Sequence, residues 1–211
     1  MKKRTLIFTS AVTLLPMIIG IIIWSKLPDS IAVHFNMRGE ANRYAGKIET
    51  VFGLPIFLMF VNLLCIFGTS IDKRKDNIGK KMNRILVWVC PLISVFVSGS
   101  IYLKALGYQI DIPLIALFII AAVEIVIGNY LPKCRQNGVV GIRVPWTMKS
   151  EKNWNRTHRF GGRVYFAVGI ITLICVFLKV DYGALLIMNL VALILPIIYS
   201  YAIKNSSEQN I

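Results

Sequence analysis

Mainly apolar runs recur six times along the chain, at about residues 6–24, 51–71, 85–103, 112–131, 164–180 and 182–203. Each is close to the ~20 residues that an α-helix needs to cross a ~30 Å hydrocarbon core, and none shows the amphipathic spacing of a helix on a water-soluble globule. The pattern predicts an all-α, polytopic membrane bundle of six transmembrane helices. The fifth run is the shortest, and little besides Lys179 and Asp181 separates it from the sixth, so a tight helical hairpin is expected there. Four spans with that last pair buried is the alternative. Lys2, Lys3 and Arg4 precede the first run, but Trp24-Ser25-Lys26-Leu27 after it offers no small-x-small cleavage site. The first run is therefore read as an uncleaved span.

Two loops are long, 26–50 and 132–162. In the first, Ile31, Val33, Phe35 and Met37 alternate with Ala32, His34, Asn36 and Arg38, and Gly39 follows. This period of two, ending at a glycine, predicts a short extended segment and a turn. Leu27-Pro28 closes the preceding helix, because the residue before proline is pushed out of the αR region. In the second loop Trp154, His158 and Gly162 recur at i, i+4 and i+8, which places them near one face of a helix running into the fifth span. Trp146 and Trp154 fit anchors at headgroup level, with a specific partner or signalling role as the alternative.

The 211 residues are 56% hydrophobic and only 16% charged, against ~25% charged in an ordinary soluble domain. The formal charge of +14 is unevenly placed. With the amino terminus inside, 18 of the 24 Lys and Arg lie in inner segments, leaving the outer segments close to neutral. Positively charged loops stay on the cytoplasmic side, so both termini are expected on the cytoplasmic side of the membrane. The basicity is a topology signal and an attraction to anionic lipid of the bilayer rather than direct nucleic-acid binding. Four cysteines, three of them inside apolar runs, read as free thiols.

Both loops carry residues that resemble a known family. Leu27-Pro28-Asp29-Ser30-Ile31-Ala32-Val33-His34-Phe35-Asn36, followed by Gly39-Glu40-Ala41-Asn42-Arg43-Tyr44 and Lys47, is similar to the amino-terminal module of the SdpI family of bacterial immunity proteins. Asn129-Tyr130-Leu131-Pro132-Lys133, then Asn137-Gly138-Val139-Val140-Gly141-Ile142-Arg143-Val144-Pro145-Trp146-Thr147, then Trp154, Thr157, His158 and Gly161-Gly162-Arg163 resemble its carboxy-terminal half. The expected modules are 1–84, with two spans and the outer loop, and 85–211, with four spans and the basic inner loop. The resemblance implies a non-enzymatic immunity function against a secreted, membrane-active toxic peptide. It also implies a second role, capture of a cytoplasmic transcriptional repressor at the inner face. The candidate functional residues are His34, Phe35, Gly39, Glu124, Asn129, Asn137, Gly141, Arg143, Trp146, Thr147, Trp154 and His158.

Glu124 is the most unusual of these, an acid within roughly 4 Å of the middle of the fourth run at ~1.5 Å rise per residue. Such a placement costs on the order of 3 kcal/mol, so Glu124 is expected to face protein or water. Asn62, in the second run, matches it in depth; a polar pocket or proton-linked switch and a packing hydrogen bond are both open readings. A small secondary transporter is the alternative function, consistent with Glu124 and with Pro16, Pro91 and Pro196 inside apolar runs. No HExxH, P-loop, GxSxG or paired-carboxylate pattern is present, and no cofactor is implied. His34 and His158 fall on opposite sides of the expected topology and cannot share a metal.

The orientation is open to single-cysteine labelling in a chain stripped of its native cysteines. An impermeant reagent applied to intact cells is expected to label position 39 and to spare position 150; labelling at position 150 would overturn the six-span arrangement.

Overall fold

In the computed structural model, residues 3–204 are described. Lys2 and the chain ends, which enter the charge balance above, lie outside them. Among the described residues, six helices are long and apolar enough to cross a membrane: α1 (Lys3–Ile22), α2 (Leu54–Ile71), α3 (Lys80–Ala105), α4 (Ile112–Tyr130), α6 (Glu151–Phe177) and α7 (Tyr182–Ala202). A single short helix, α5 (Pro145–Lys149), lies in the loop between α4 and α6. The protein is thus a multi-pass helical membrane protein, as the apolar runs predict. The buried-pair alternative fails, because α7 leaves Ile187, Leu190, Val191, Leu193 and Ile194 at least half exposed, a surface suited to lipid rather than to a protein interior.

The chain forms two compact units. The first comprises Met1–Ser70 and Arg84–Ala116, the second Ile71–Asn83 and Leu117–Ile211. These units group residues by proximity, whereas the expected boundary between 84 and 85 divides the chain by sequence.

In the first unit the 26–50 loop is a β-hairpin, β1 (Ser30–Phe35) paired antiparallel with β2 (Ala41–Gly46). The alternation in 31–37 predicts the first strand; the second, Ala-Asn-Arg-Tyr-Ala-Gly, carries too little apolar pattern to be read from sequence. Asn36 makes the turn, its side-chain oxygen accepting from the N–H groups of Arg38 (2.9 Å) and Glu40 (3.0 Å), and Gly39 takes the positive φ of 77° that the turn requires. Ile31 and Phe35, four residues apart, are buried as the alternation predicts, whereas Met37 lies past the end of β1 in the turn and is exposed. Ile31 joins Leu27, Val51, Ile101 and Tyr102 in the core of this unit. Helices α1 and α3 are tied by side chains bonded to backbone, Ser94 donating to the Thr13 carbonyl (2.7 Å) and Tyr102 to the Pro16 carbonyl (3.1 Å).

In the second unit α4, α6 and α7 pack through small residues. A Cβ on Gly128 would lie 2.8 Å from the Gly162 carbonyl oxygen, and one on Gly169 would lie 2.9 Å from that of Ala121, so backbone meets backbone between α4 and α6. Helix α7 follows on the other flank, with Phe160 stacked on Tyr199 (centroids 4.3 Å apart) and the Asn189 amide donating to Thr172 Oγ1 (3.0 Å). Lys179, at a φ of 54°, turns the chain between the two helices, and Asp181 caps α7 by accepting from the Ala184 N–H (2.8 Å). This is the tight hairpin expected from the short link.

Close approach makes a prediction. Gly169→Leu is expected to destabilise the protein by ~1–3 kcal/mol through overpacking, read as a lower melting temperature in mild detergent. Gly68→Ala, where an added Cβ meets nothing within 4 Å, is expected to melt at or slightly above the parent temperature. Equal melting of Gly169→Leu and the parent would contradict the α4–α6 contact.

Candidate functional site

Three candidates lie in the first unit. His34 is exposed on β1, with Nδ1 2.6 Å from the side-chain oxygen of Asn42 across the hairpin. Phe35 is buried, its ring covered by the Lys104 ammonium at 5.1 Å, and Gly39 forms the turn. Asn42, Arg43 and Tyr44 on β2 are exposed as well.

The other nine lie in the second unit, and the structure gathers seven of them in or around the loop that leaves α4 at Tyr130 and enters α6 at Glu151. Irregular backbone here must find hydrogen-bond partners, since buried unpaired N–H and C=O groups are costly. Side chains provide them. Asn137, fully buried, folds the loop on itself: its carbonyl oxygen accepts from Val139 N–H (2.9 Å) and Val140 N–H (2.7 Å), and its amide donates to the Arg135 carbonyl (2.9 Å). Thr147, also fully buried, starts α5 by accepting from Val144 N–H (3.1 Å) and donating to the Ile142 carbonyl (2.7 Å). The Arg143 guanidinium, though exposed, donates to the Gly138 carbonyl.

His158 and Trp154 hold this loop to α6. Their rings stack, with centroids 3.9 Å apart and planes 20° apart. Trp154 Nε1–H donates to the Cys134 carbonyl (2.9 Å). His158 Nδ1–H donates to the Trp154 carbonyl (2.8 Å), which leaves Nε2 to accept from Ile142 N–H (3.0 Å) and fixes a neutral imidazole. Gly141 makes this possible: its φ is 125°, and a Cβ there would run into His158 Nε2 and the Trp154 ring. Trp146, partly exposed, donates from Nε1 to Ser200 Oγ (2.8 Å) and meets the Tyr201 ring edge-on.

Three expectations are thereby refined. The face of α6 carrying Trp154, His158 and Gly162 is real, and it is buried rather than interfacial. Trp154, fully buried, is not a lipid anchor. Asn129, at the end of α4, stands apart from the network and is exposed, accepting from Lys133 Nζ (3.1 Å). Glu124 is buried, and one of its carboxyl oxygens has no hydrogen-bond partner; Asn62, in the first unit, is also buried and has none for either side-chain atom.

Several participants escape a reading of motifs. Asp72 caps the loop from the 71–79 link, accepting from Gly138 N–H (2.7 Å), while the Asn77 amide donates to the Gln136 carbonyl (2.8 Å) and Gln136 donates to the Thr147 carbonyl (2.8 Å). Asn153 donates to the Ser200 carbonyl (3.0 Å) and accepts from Thr157 (3.0 Å). Only the i, i+4 spacing of Asn153 and Thr157 offered a signal. Burial pushes the Cys134 thiol up to about 11, so it stays protonated at neutral pH and is a poor nucleophile. Both ring nitrogens of His158 are committed to backbone groups, which leaves none for general-base work in this conformation.

Fold and site together define a multi-pass membrane protein whose carboxy-terminal half is organised around a self-bonded basic loop. Residues 133–200 match the SdpI/YfhL protein family, and residues 11–59 match a domain of unknown function, DUF1648. The immunity protein SdpI of Bacillus subtilis (strain 168) is 28% identical over 201 residues, covering 93% of this chain and 92% of that protein. The chain is thus similar to the SdpI family in its carboxy-terminal part, and to one immunity protein along nearly its whole length. No solved structure gives a significant match.

His158→Phe keeps a stacked ring but strips the acceptor from Ile142 N–H. It is expected to cost ~1–3 kcal/mol and to accelerate amide exchange at Ile142 in the purified protein. Protection at Ile142 unchanged from the parent would refute the role assigned to the imidazole.

Proposed function

We propose that this chain is a non-enzymatic immunity protein that protects its bacterial host against a secreted, membrane-active toxic peptide. The observation that carries the proposal is the match to an immunity protein along nearly the whole of both chains, which spans the hairpin, the inner loop and the helices between them. The 18 to six division of basic residues supports an orientation with both termini in the cytoplasm, the hairpin outside and the 132–162 loop inside.

In this orientation the exposed residues of the hairpin, His34, Asn42, Arg43 and Tyr44, are offered to the peptide. The inner loop is the surface offered to a cytoplasmic partner such as a transcriptional repressor. Within it, Asn137, Thr147, Trp154 and His158 position the backbone, and Arg143 is the exposed member able to touch a partner. The modules 1–84 and 85–211 then divide sensing from response. Secondary transport is the second reading, favoured by the unpartnered carboxyl oxygen of Glu124; substrate flux in proteoliposomes distinguishes it.

Expression in a susceptible bacterium is expected to protect against a peptide of the Sdp type and to give little protection against unrelated pore formers. Arg143→Ala is expected to leave the amount of protein in the membrane unchanged, because Arg143 lies outside the spans. Survival against toxin dose and membrane protein level are measured on the same cultures. A parent chain that inserts normally and protects against no such peptide would sink the immunity reading.

A further inference from the structure

The amino-terminal turns of α6 have two unlike faces. Asn153, Trp154, Thr157, His158, Gly161 and Gly162 are buried. Lys152, Arg156, Arg159 and Arg163, at i, i+4, i+7 and i+11, fall within about 60° of one another on the opposite face at ~100° per residue. Lys152, Arg159 and Arg163 are exposed and Arg156 is partly so. Among the described residues no ion pair involves any of the four, since the two ion pairs are Arg43–Glu49 and Lys47–Asp29. Arg159 donates from Nε to the Asn155 carbonyl (3.3 Å), which steadies the side chain and leaves its terminal nitrogens free for another acceptor.

Length places this stripe at the edge of the bilayer. Helix α6 has 27 residues, ~40 Å of helix, against ~30 Å of hydrocarbon. Its uninterrupted apolar part runs only from Val164 to Phe177, ~21 Å, and polar Lys179 and Asp181 mark the other end. The apolar stretch is therefore shorter than the hydrocarbon it has to cross. On that length Arg163, and Arg159 a turn away, fall near the expected hydrocarbon boundary, where an arginine stem can lie along apolar surface while its guanidinium reaches lipid phosphates. A guanidinium holds a phosphate through two parallel hydrogen bonds, so the chemistry of the stripe suits that group.

We infer that the basic stripe of α6 is a binding surface for anionic phospholipid, with Arg159 and Arg163 holding the phosphate of one headgroup and Arg156 and Lys152 extending the site. The inference does not depend on the immunity function, and it adds a lipid dependence that neither hairpin nor inner loop requires.

The test uses the purified full-length chain in a non-ionic detergent, with bound lipid counted by native mass spectrometry. Added phosphatidylglycerol is expected to be retained and phosphatidylcholine largely lost, with inorganic phosphate unable to displace the retained lipid. Arg159→Gln with Arg163→Gln is expected to weaken retention about tenfold or more, from the loss of two charges near the headgroups. The same loss of charge elsewhere, Lys26→Gln with Arg38→Gln, is expected to leave retention unchanged, and Arg159→Lys with Arg163→Lys, which keeps the charge but not the bidentate geometry, to fall between the parent and the glutamine pair. Thermal melting of each variant without added lipid separates loss of lipid from loss of fold. Equal retention of both lipids, displacement by phosphate, undiminished retention in the glutamine pair, or a lysine pair as weak as the glutamine pair would each overturn the proposal.

Discussion

The carboxy-terminal unit depends on one constraint: about fifteen residues of irregular backbone between α4 and α6 must be hydrogen-bonded without a sheet or a long helix to do it. The stacked pair Trp154–His158 meets that requirement from one side, bonding the Cys134 carbonyl and the Ile142 N–H. Asn137 and Thr147 meet it from within the loop, and Asp72 and Asn77 from the 71–79 link. Gly141 is the condition for the whole arrangement, because only a residue without a Cβ lets the chain lie on the imidazole in that conformation. Removing the side chain of Asn137, Thr147, Trp154 or His158 leaves a buried or partly buried polar atom unpaired, which is more costly than the loss of a contact between apolar groups.

The glycines of α4 and α6 serve the same end. Gly128, Gly162 and Gly169 bring the two backbones together, and that separation sets where Trp154 and His158 stand relative to the loop leaving α4. The first unit solves a similar problem by other means. Its irregular segment is folded as a hairpin, so strand pairing satisfies the backbone and Asn36 closes the turn. Only apolar Ile31, Phe35 and Ala45 need burial, which leaves the polar side of the hairpin available.

The spans were legible because twenty apolar residues in a row have few other uses, and the helical hairpin at Lys179 followed from the shortness of its link. Trp154, His158 and Gly162 were legible as a face from their spacing, though not as a buried one: the amphipathic pattern of α6 separates polar network from basic stripe, not apolar from polar. Strand β2 was obscure because neither side of Ala41–Gly46 is strongly apolar. Asp72, Asn77 and Gln136 were invisible since their role arises from contacts some sixty residues apart in sequence, for which no local pattern exists.

The division of labour around the loop decides how loss of function should be interpreted. Asn137, Thr147, Trp154 and His158 are motif residues, yet each is essentially inaccessible and fully engaged with backbone. A partner arriving from water or membrane can touch none of them without unfolding the loop, so a defect at these positions reports on the shape of the surface, not on the surface itself. Under the proposed function, contact falls to the exposed neighbours that the network carries. Arg143 is held by the loop it helps to close, whereas Arg159 and Arg163 project from a helix that is already rigid. The first is suited to a partner whose binding can alter the loop, the second pair to a ligand that is always present, and a bilayer is such a ligand.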